Sequence, residues 1–216
     1  MAALVSPLES MTPALWLMRH ARVLVAPGLC YGVTEVDADP LATQEAAQEA
    51  ASRLPKDLAV RCSPARRCQD LARALHALRP DLVARTDLRL AEMDFGAWEG
   101  RQWADIGRQA LETWTQDFGE TPPGLHGESV HRFLDRIGSA WDEWRLGGQA
   151  ELWITHAGVI RAVELLSHGR RRIAIAADWP ATPVEFGRCT MLRVTTGDDG
   201  EGRPGPVAAT RGPLHG

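Results

Sequence analysis

Three apolar runs in this chain each lead into arginine or histidine, and their repetition restricts the fold more than any other feature. The first, Leu15-Trp16-Leu17-Met18, ends on Arg19-His20-Ala21. The second, Leu58-Ala59-Val60-Arg61-Cys62, passes through Ser63-Pro64-Ala65 to Arg66 and then a pattern with Leu71, Leu75 and Leu78 at helical spacing. The third, Glu151-Leu152-Trp153-Ile154-Thr155, ends on His156-Ala157-Gly158 and continues as a helix from Val159 to Leu166. Buried strands alternating with helices are the pattern of a mostly parallel α/β sheet. In such sheets the ligand crevice lies beyond the carboxyl ends of the strands. If the strands are neighbours, Arg19, His20, Arg66 and His156 converge above one sheet edge.

The remaining chain fits that scheme. A Pro-, Gly- and Asp-containing loop over 27–40 precedes an alanine-rich helix at about 41–54, and the second run feeds a helix over about 64–79 with a short extended segment near 83–86. Ser129 is placed to cap a long helix reaching about Leu146, whose Phe133, Ile137, Trp141 and Trp144 form one apolar face. Residues 184–186 and 189–195 read as final strands, possible partners in a hairpin through Gly187 and Arg188. Between about 94 and 125 the pattern breaks into short helical pieces with Trp98, Trp103 and Trp114, read as an insertion covering the active-site face. Its tryptophans are expected to pack, with Trp98, close after Glu92, as the exception to watch. Residues 1–14 and 197–216 read as flexible tails.

A single histidine beside an apolar run is more often structural than catalytic, and an arginine in a first helical turn normally faces water. Four such groups at three equivalent junctions instead describe a phosphate site, because guanidinium forks and imidazoles are suitable donors to phosphoryl oxygens. Arg161 reads as an ion-pair partner, Arg170-Arg171-Arg172 as a solvated helix end, and Glu128 as a carboxylate favoured near a helix start.

The motifs, in order, are Arg19-His20-Ala21, Cys62-Ser63-Pro64-Ala65-Arg66-Arg67-Cys68, Leu90 through Gly100, Gly127-Glu128-Ser129 and His156-Ala157-Gly158-Val159-Ile160-Arg161. Together they resemble the histidine phosphatase superfamily, also called phosphoglycerate mutase-like, over roughly residues 15–195. The resemblance implies a single domain with a three-layer α/β/α sandwich and a mostly parallel central sheet. It implies a phosphomonoesterase with His20 as the phosphorylated nucleophile and Glu92 as acid and base. Arg19, Arg66, His156 and Ala157 would hold the phosphoryl group, without metal or other cofactor. Residues Leu29 through Glu35 and Glu92 through Gly100 look most like the α-ribazole phosphatase branch of cobalamin synthesis. That branch assigns a small-molecule substrate, α-ribazole 5′-phosphate, with Tyr31, Gly32 and Trp98 as candidate contacts. Ala21-Arg22-Val23 departs from the family's usual Gly, Glu or Gln, and Thr, which bears on substrate preference.

The chemistry of the residues supports the same mechanism. Imidazole attacks phosphorus only when neutral, and neighbouring positive charge favours the neutral form. A carboxyl group beside a dianionic ester holds its proton more tightly, which suits Glu92 to protonate a leaving alkoxide. Glu99 reads as structural.

Composition limits the other possibilities. A chain of 216 residues buries on the order of 70% of its unfolded surface, enough for one core. The formal charge of −4 is dispersed, so neither nucleic acid nor a membrane is expected as partner. Cys30, Cys62, Cys68 and Cys189 have neither zinc spacing nor a disulfide framework, and residues 1–14 lack a signal-peptide pattern, so the cytoplasm is the expected compartment. The alternatives are a broad-specificity phosphatase or phosphoglycerate mutase, a metal hydrolase using His20, His156 and Glu92, and a phosphate sensor with a degenerate site. Two arginines beside the histidines are poor neighbours for a cation.

Overall fold

The computed structural model describes residues 13–193. The expected tails lie outside these residues except at positions 13 and 14, where Ala14 already opens the first strand. Strands β1 (Ala14–Arg19), β2 (Ala59–Cys62), β3 (Ala84–Thr86), β4 (Glu151–Thr155) and β5 (Cys189–Arg193) form one sheet in the order β3-β2-β4-β1-β5. All neighbours are parallel except β5, which runs antiparallel to β1.

Helices cover both faces. Helices α1 (Pro40–Arg53) and α2 (Arg66–Leu78) supply Ala46, Ala47, Ala50, Cys68, Leu71 and Leu75 to one core, against Met18, Val60, Leu152 and Ile154. Across the sheet, α4 (Val130–Gly147) and α5 (Ala157–Ser167) pack Phe133, Ile137, Trp141, Val159 and Val163 against Leu15, Leu17 and Trp153. Alternate strand residues thus face opposite layers, as the period-2 geometry of a strand requires. The result is the α/β/α sandwich expected, with a five-stranded, mostly parallel sheet.

Local chemistry sets the helix boundaries. Asp39 caps α1 by accepting from the N–H groups of Leu41 and Ala42, and Pro40 occupies a first-turn position where no donor is needed. Ser129 caps α4 through the N–H of Arg132, and Gly148 ends that helix at φ 62°, the left-handed conformation glycine tolerates best.

Residues 184–186 do not form a strand, which corrects the hairpin expected there. Their groups are engaged by the site instead: the Val184 carbonyl accepts from Arg19, and the Phe186 ring lies beneath its guanidinium. The backbone then folds over the end of β1, with Gly187 N–H donating to the His20 carbonyl at 3.0 Å. The expected end of the last strand at Thr195 lies outside the described residues. Arg170, Arg171 and Arg172 follow α5 and pair with Asp178, Asp142 and Asp135, rather than completing the helix end.

The segment after Glu92 contains 3-10 turns at Gly96–Trp98 and Trp103–Asp105, then α3 (Arg108–Gln116). Among the described residues, no helix is long and apolar enough to cross a membrane.

Candidate active site

Sheet register positions the central pair. Arg19 and Thr155 stand opposite each other in the parallel β1–β4 ladder, so the next residues, His20 and His156, emerge side by side. His20 N–H extends the ladder by donating to the Thr155 carbonyl at 2.9 Å, and the two imidazole centroids are 5.3 Å apart. On the other side of β4, Ser63 N–H donates to the Ile154 carbonyl at 2.9 Å, placing the end of β2 against His156.

His20 is almost entirely buried, and its Nδ1 is 2.8 Å from the Ala21 carbonyl. A carbonyl can only accept, so Nδ1 carries the proton and Nε2 keeps its lone pair. Burial, reinforced by the nearby Arg67 charge, pushes the His20 pKa down to about 3. The ring is therefore neutral throughout the physiological range, as a nitrogen nucleophile must be.

His156 is held differently. Arg67 donates to its Nδ1 at 3.2 Å, which leaves the Nε2 proton to be donated to Ser63 Oγ at 2.7 Å. Burial first, then the Arg67 charge, holds the His156 pKa well below its usual value. Both ring nitrogens are thus engaged within the protein.

Arg66 does not enter the site. Its side chain is 56% exposed and pairs with Asp37 at 3.3 Å, while its N–H donates to Glu35. The next residue, Arg67, is fully buried. It donates to the carbonyls of Gly32 (2.6 Å) and Thr34 (3.1 Å) as well as to His156. Successive helical residues point about 100° apart, so one of two adjacent arginines at the start of α2 turns outward when the other turns inward. The buried arginine at this junction is therefore Arg67, not the Arg66 expected from the sequence.

Arg19 donates to the Val184 carbonyl at 2.5 Å and lies 3.6 Å above the Phe186 ring centroid. Among the described residues its buried Nε has no acceptor, nor do Nε of Arg67, Nε of Arg161 and Nε1 of Trp114. Arg161 has no carboxylate partner among the described residues, which corrects the ion-pair reading. It projects from the first turns of α5 into the same cavity as Arg19.

Glu92 lies in a connection tied to β4 by the Thr155 hydroxyl, which donates to the Leu90 carbonyl at 2.8 Å. The carboxylate accepts from the N–H groups of Met93 and Gly158, each at 3.1 Å. Burial outweighs these hydrogen bonds and raises its pKa above the ordinary carboxylate value. Gly158 is required for this contact: a Cβ there would fall 2.2 Å from Glu92 Oε1. Glu99 has a different task. It accepts from the N–H groups of Gly32, Val33, Thr34 and Phe95, and from the Thr34 hydroxyl at 2.5 Å, folding that loop around one carboxylate.

Arg19, His20, Glu92, Ala157, Gly158 and Arg161 line a cavity of about 320 Å³ whose other walls are Tyr31, Phe95, Trp103, Trp114, Phe118, Phe133 and Trp179. Tyr31 lines the cavity. Gly32 does not: its N–H is committed to Glu99, its carbonyl to Arg67, and a Cβ would lie 1.8 Å from the Met93 carbonyl, so its role is close backbone packing. Trp98 is also outside the cavity, buried among Cys30, Ile106, Trp103 and Trp114. The tryptophans expected to pack, Trp103 and Trp114, are the ones that line it. Among the described residues, no three His, Cys, Asp or Glu side chains gather to hold a metal ion.

Comparison with known proteins places this geometry. In solved structures, the alpha-ribazole phosphatase from Shigella flexneri matches with a TM-score of 0.70 at 24% identity, over 85% of this chain and 91% of that one. Mycobacterial glucosyl-3-phosphoglycerate phosphatase matches with a TM-score of 0.69 at 24% identity, over 84% and 90%. At these identities the likeness is one of fold. A bifunctional protein of Mycobacterium tuberculosis and an uncharacterized protein of Mycobacterium bovis are each 38% identical over 109 residues, 48% of this chain but only 29% of their own length. The family model for the histidine phosphatase superfamily (branch 1) matches residues 15–183, well over half the chain. The chain therefore belongs to the histidine phosphatase superfamily, branch 1.

Proposed function

We propose that this protein hydrolyses phosphomonoesters through a phosphorylated His20, without a metal, and that α-ribazole 5′-phosphate is its substrate. The observation that carries this reading is the Arg19 guanidinium, a set of donors whose buried Nε has no acceptor among the described residues, lining one cavity with the neutral His20 and with Glu92. Phosphoryl oxygens are the acceptors such a donor set suits, and their charge is the main electrostatic demand of the transfer.

His20 Nε2 attacks phosphorus, the ester P–O bond breaks, and the departing alkoxide takes the Glu92 proton. The Glu92 carboxylate then takes a proton from water, whose oxygen attacks phosphorus as the P–N bond breaks, returning neutral His20 and releasing phosphate. Arg19 and Arg67 neutralise the phosphoryl oxygens in both steps. For His156 to join them, its Nε2–H must move from Ser63 Oγ to the phosphoryl group.

The aromatic walls formed by Tyr31, Trp103, Trp114 and Phe118 suit a flat, nucleoside-like alcohol. Arg161, which lines the cavity and has no carboxylate partner among the described residues, favours a second reading, an ester whose alcohol carries a carboxylate, as a phosphoglycerate does. One experiment separates them. Brief exposure to a labelled phosphomonoester should phosphorylate the protein in an acid-labile, base-stable form, lost in His20→Ala and unaffected by exhaustive chelation. In a panel of esters, kcat/KM for α-ribazole 5′-phosphate should exceed that for 3-phosphoglycerate at least about tenfold, or ~1.4 kcal/mol. The opposite preference selects the second reading, label on serine or cysteine removes the phosphohistidine, and loss of turnover with the metal removes metal independence.

A further inference from the structure

Glu92 forms part of two cavities, and the second lies away from His20. It measures about 340 Å³ and is bordered by Asp94, His126, Glu128, Arg132 and Arg136. With cavities on both sides, packing alone does not fix the position of the connection that carries Glu92.

One side chain spans the gap. Arg136, on α4, donates through Nη1 to the carbonyls of Arg89 and Ala91, each at 2.8 Å, and through Nη2 to the carbonyl of Glu92 itself at 3.0 Å. The same guanidinium is fixed from behind by Glu128, which accepts from Nε at 2.7 Å and from Nη2 at 2.8 Å. Its plane is set further by the Phe133 ring, 4.7 Å from the guanidinium carbon. A planar fork can hold three carbonyls and a carboxylate in one fixed arrangement, which an ammonium cannot.

We infer that Arg136, held by Glu128, is the positioning residue that aims the Glu92 carboxyl group at the leaving oxygen. The inference rests on the acid role of Glu92 proposed above. Arg136 touches no reacting atom; it acts through the backbone of residues 89–92. A displacement of about 1 Å in a reacting group costs on the order of a hundredfold in rate. In kcat/KM, which reports the first phosphoryl transfer, the loss falls on esters whose leaving group needs a proton, and spares aryl esters that leave without one.

The test compares purified Arg136→Lys, Glu128→Gln and Glu92→Gln with the parent protein on an alkyl phosphate and on p-nitrophenyl phosphate, with inorganic phosphate as a binding probe. Arg136→Lys should lower kcat/KM on the alkyl ester by about 10–100-fold, with kcat/KM on the aryl ester and the Kd of phosphate within about threefold. Glu128→Gln should give the same contrast between the two esters at smaller size, and it remains informative if Arg136→Lys does not fold. Equal losses on both esters in the two clamp variants, with the contrast present in Glu92→Gln, overturn the positioning role of Arg136. Absence of the contrast in Glu92→Gln overturns the acid role, and the inference with it.

Discussion

The guanidinium of Arg67 donates to His156 Nδ1 at 3.2 Å while the same nitrogen reaches the Gly32 carbonyl at 2.6 Å. One buried cation thus fixes the tautomer of the second histidine and anchors the loop that Glu99 folds. Arg67→Lys should lower kcat/KM by about 10²–10³-fold, since a lysine cannot reproduce the fork, whereas Arg66→Ala should stay within about threefold. Steady-state kinetics of the two variants decide the point. An equal loss in Arg66→Ala would mean that Arg66 swings inward during turnover.

The buried neutral histidines make stability depend on pH. The His20 pKa is about 3 in the folded protein against roughly 6.5 when unfolded. The unfolded chain therefore binds more protons between those values, and stability falls as pH drops below about 6.5, by up to about 1.4 kcal/mol per pH unit for this residue. Urea unfolding of the parent and of His20→Gln between pH 5 and 7 should show a shallower slope in the variant. Parallel slopes would mean that His20 is protonated alike in both states.

Glu99 and Glu92 should separate cleanly. Glu99→Gln places an amide among several backbone donors and should cost about 2 kcal/mol of stability, measured by denaturant unfolding, while leaving the alkyl-to-aryl rate ratio unchanged. Stability within 0.5 kcal/mol of the parent would show that the loop over 32–34 does not need this carboxylate, against the ~0.5 kcal/mol typical of neutral surface changes.

Recognition of the alcohol should depend on the far wall of the cavity. Arg161→Met and Trp114→Phe each remove a buried N–H donor, Nε of Arg161 and Nε1 of Trp114, that has no partner among the described residues. Each should raise KM about tenfold for the physiological ester and leave p-nitrophenyl phosphate within about threefold, since that ring offers the wall no comparable acceptor. A matching loss on both esters would move these residues to the phosphoryl group.

The order of strands and helices was readable because buried strands and amphipathic helices have different periods, and both were well marked. His20 and His156 were legible for the same reason, each standing at the end of a recognisable run, whereas Glu92 was singled out through the motif that resembles the family. Arg66 and Arg67 were not distinguishable, because a helix start can be assigned only to within a residue or two and one residue turns the side chain by about 100°. Trp98 and Trp103 exchanged roles because both sit in 3-10 turns, which carry no long apolar stripe to show which ring faces inward. Arg161 was misread as an ion-pair partner because which groups stand beside it, among the described residues a carbonyl of Thr182 and no carboxylate, is a tertiary fact.

The side-by-side emergence of His20 and His156 from neighbouring strands has a consequence for how such a site can diversify. Their separation is set by the ladder spacing of about 4.8 Å between strands, which no side-chain substitution in the cavity can alter. The walls that would meet the alcohol come instead from segments outside the sheet, around residues 95–118 and 179. Those segments can lengthen, shorten or exchange one aromatic ring for another while the sheet keeps its ruler fixed. The roof can therefore be remodelled with both histidines left where the strands put them.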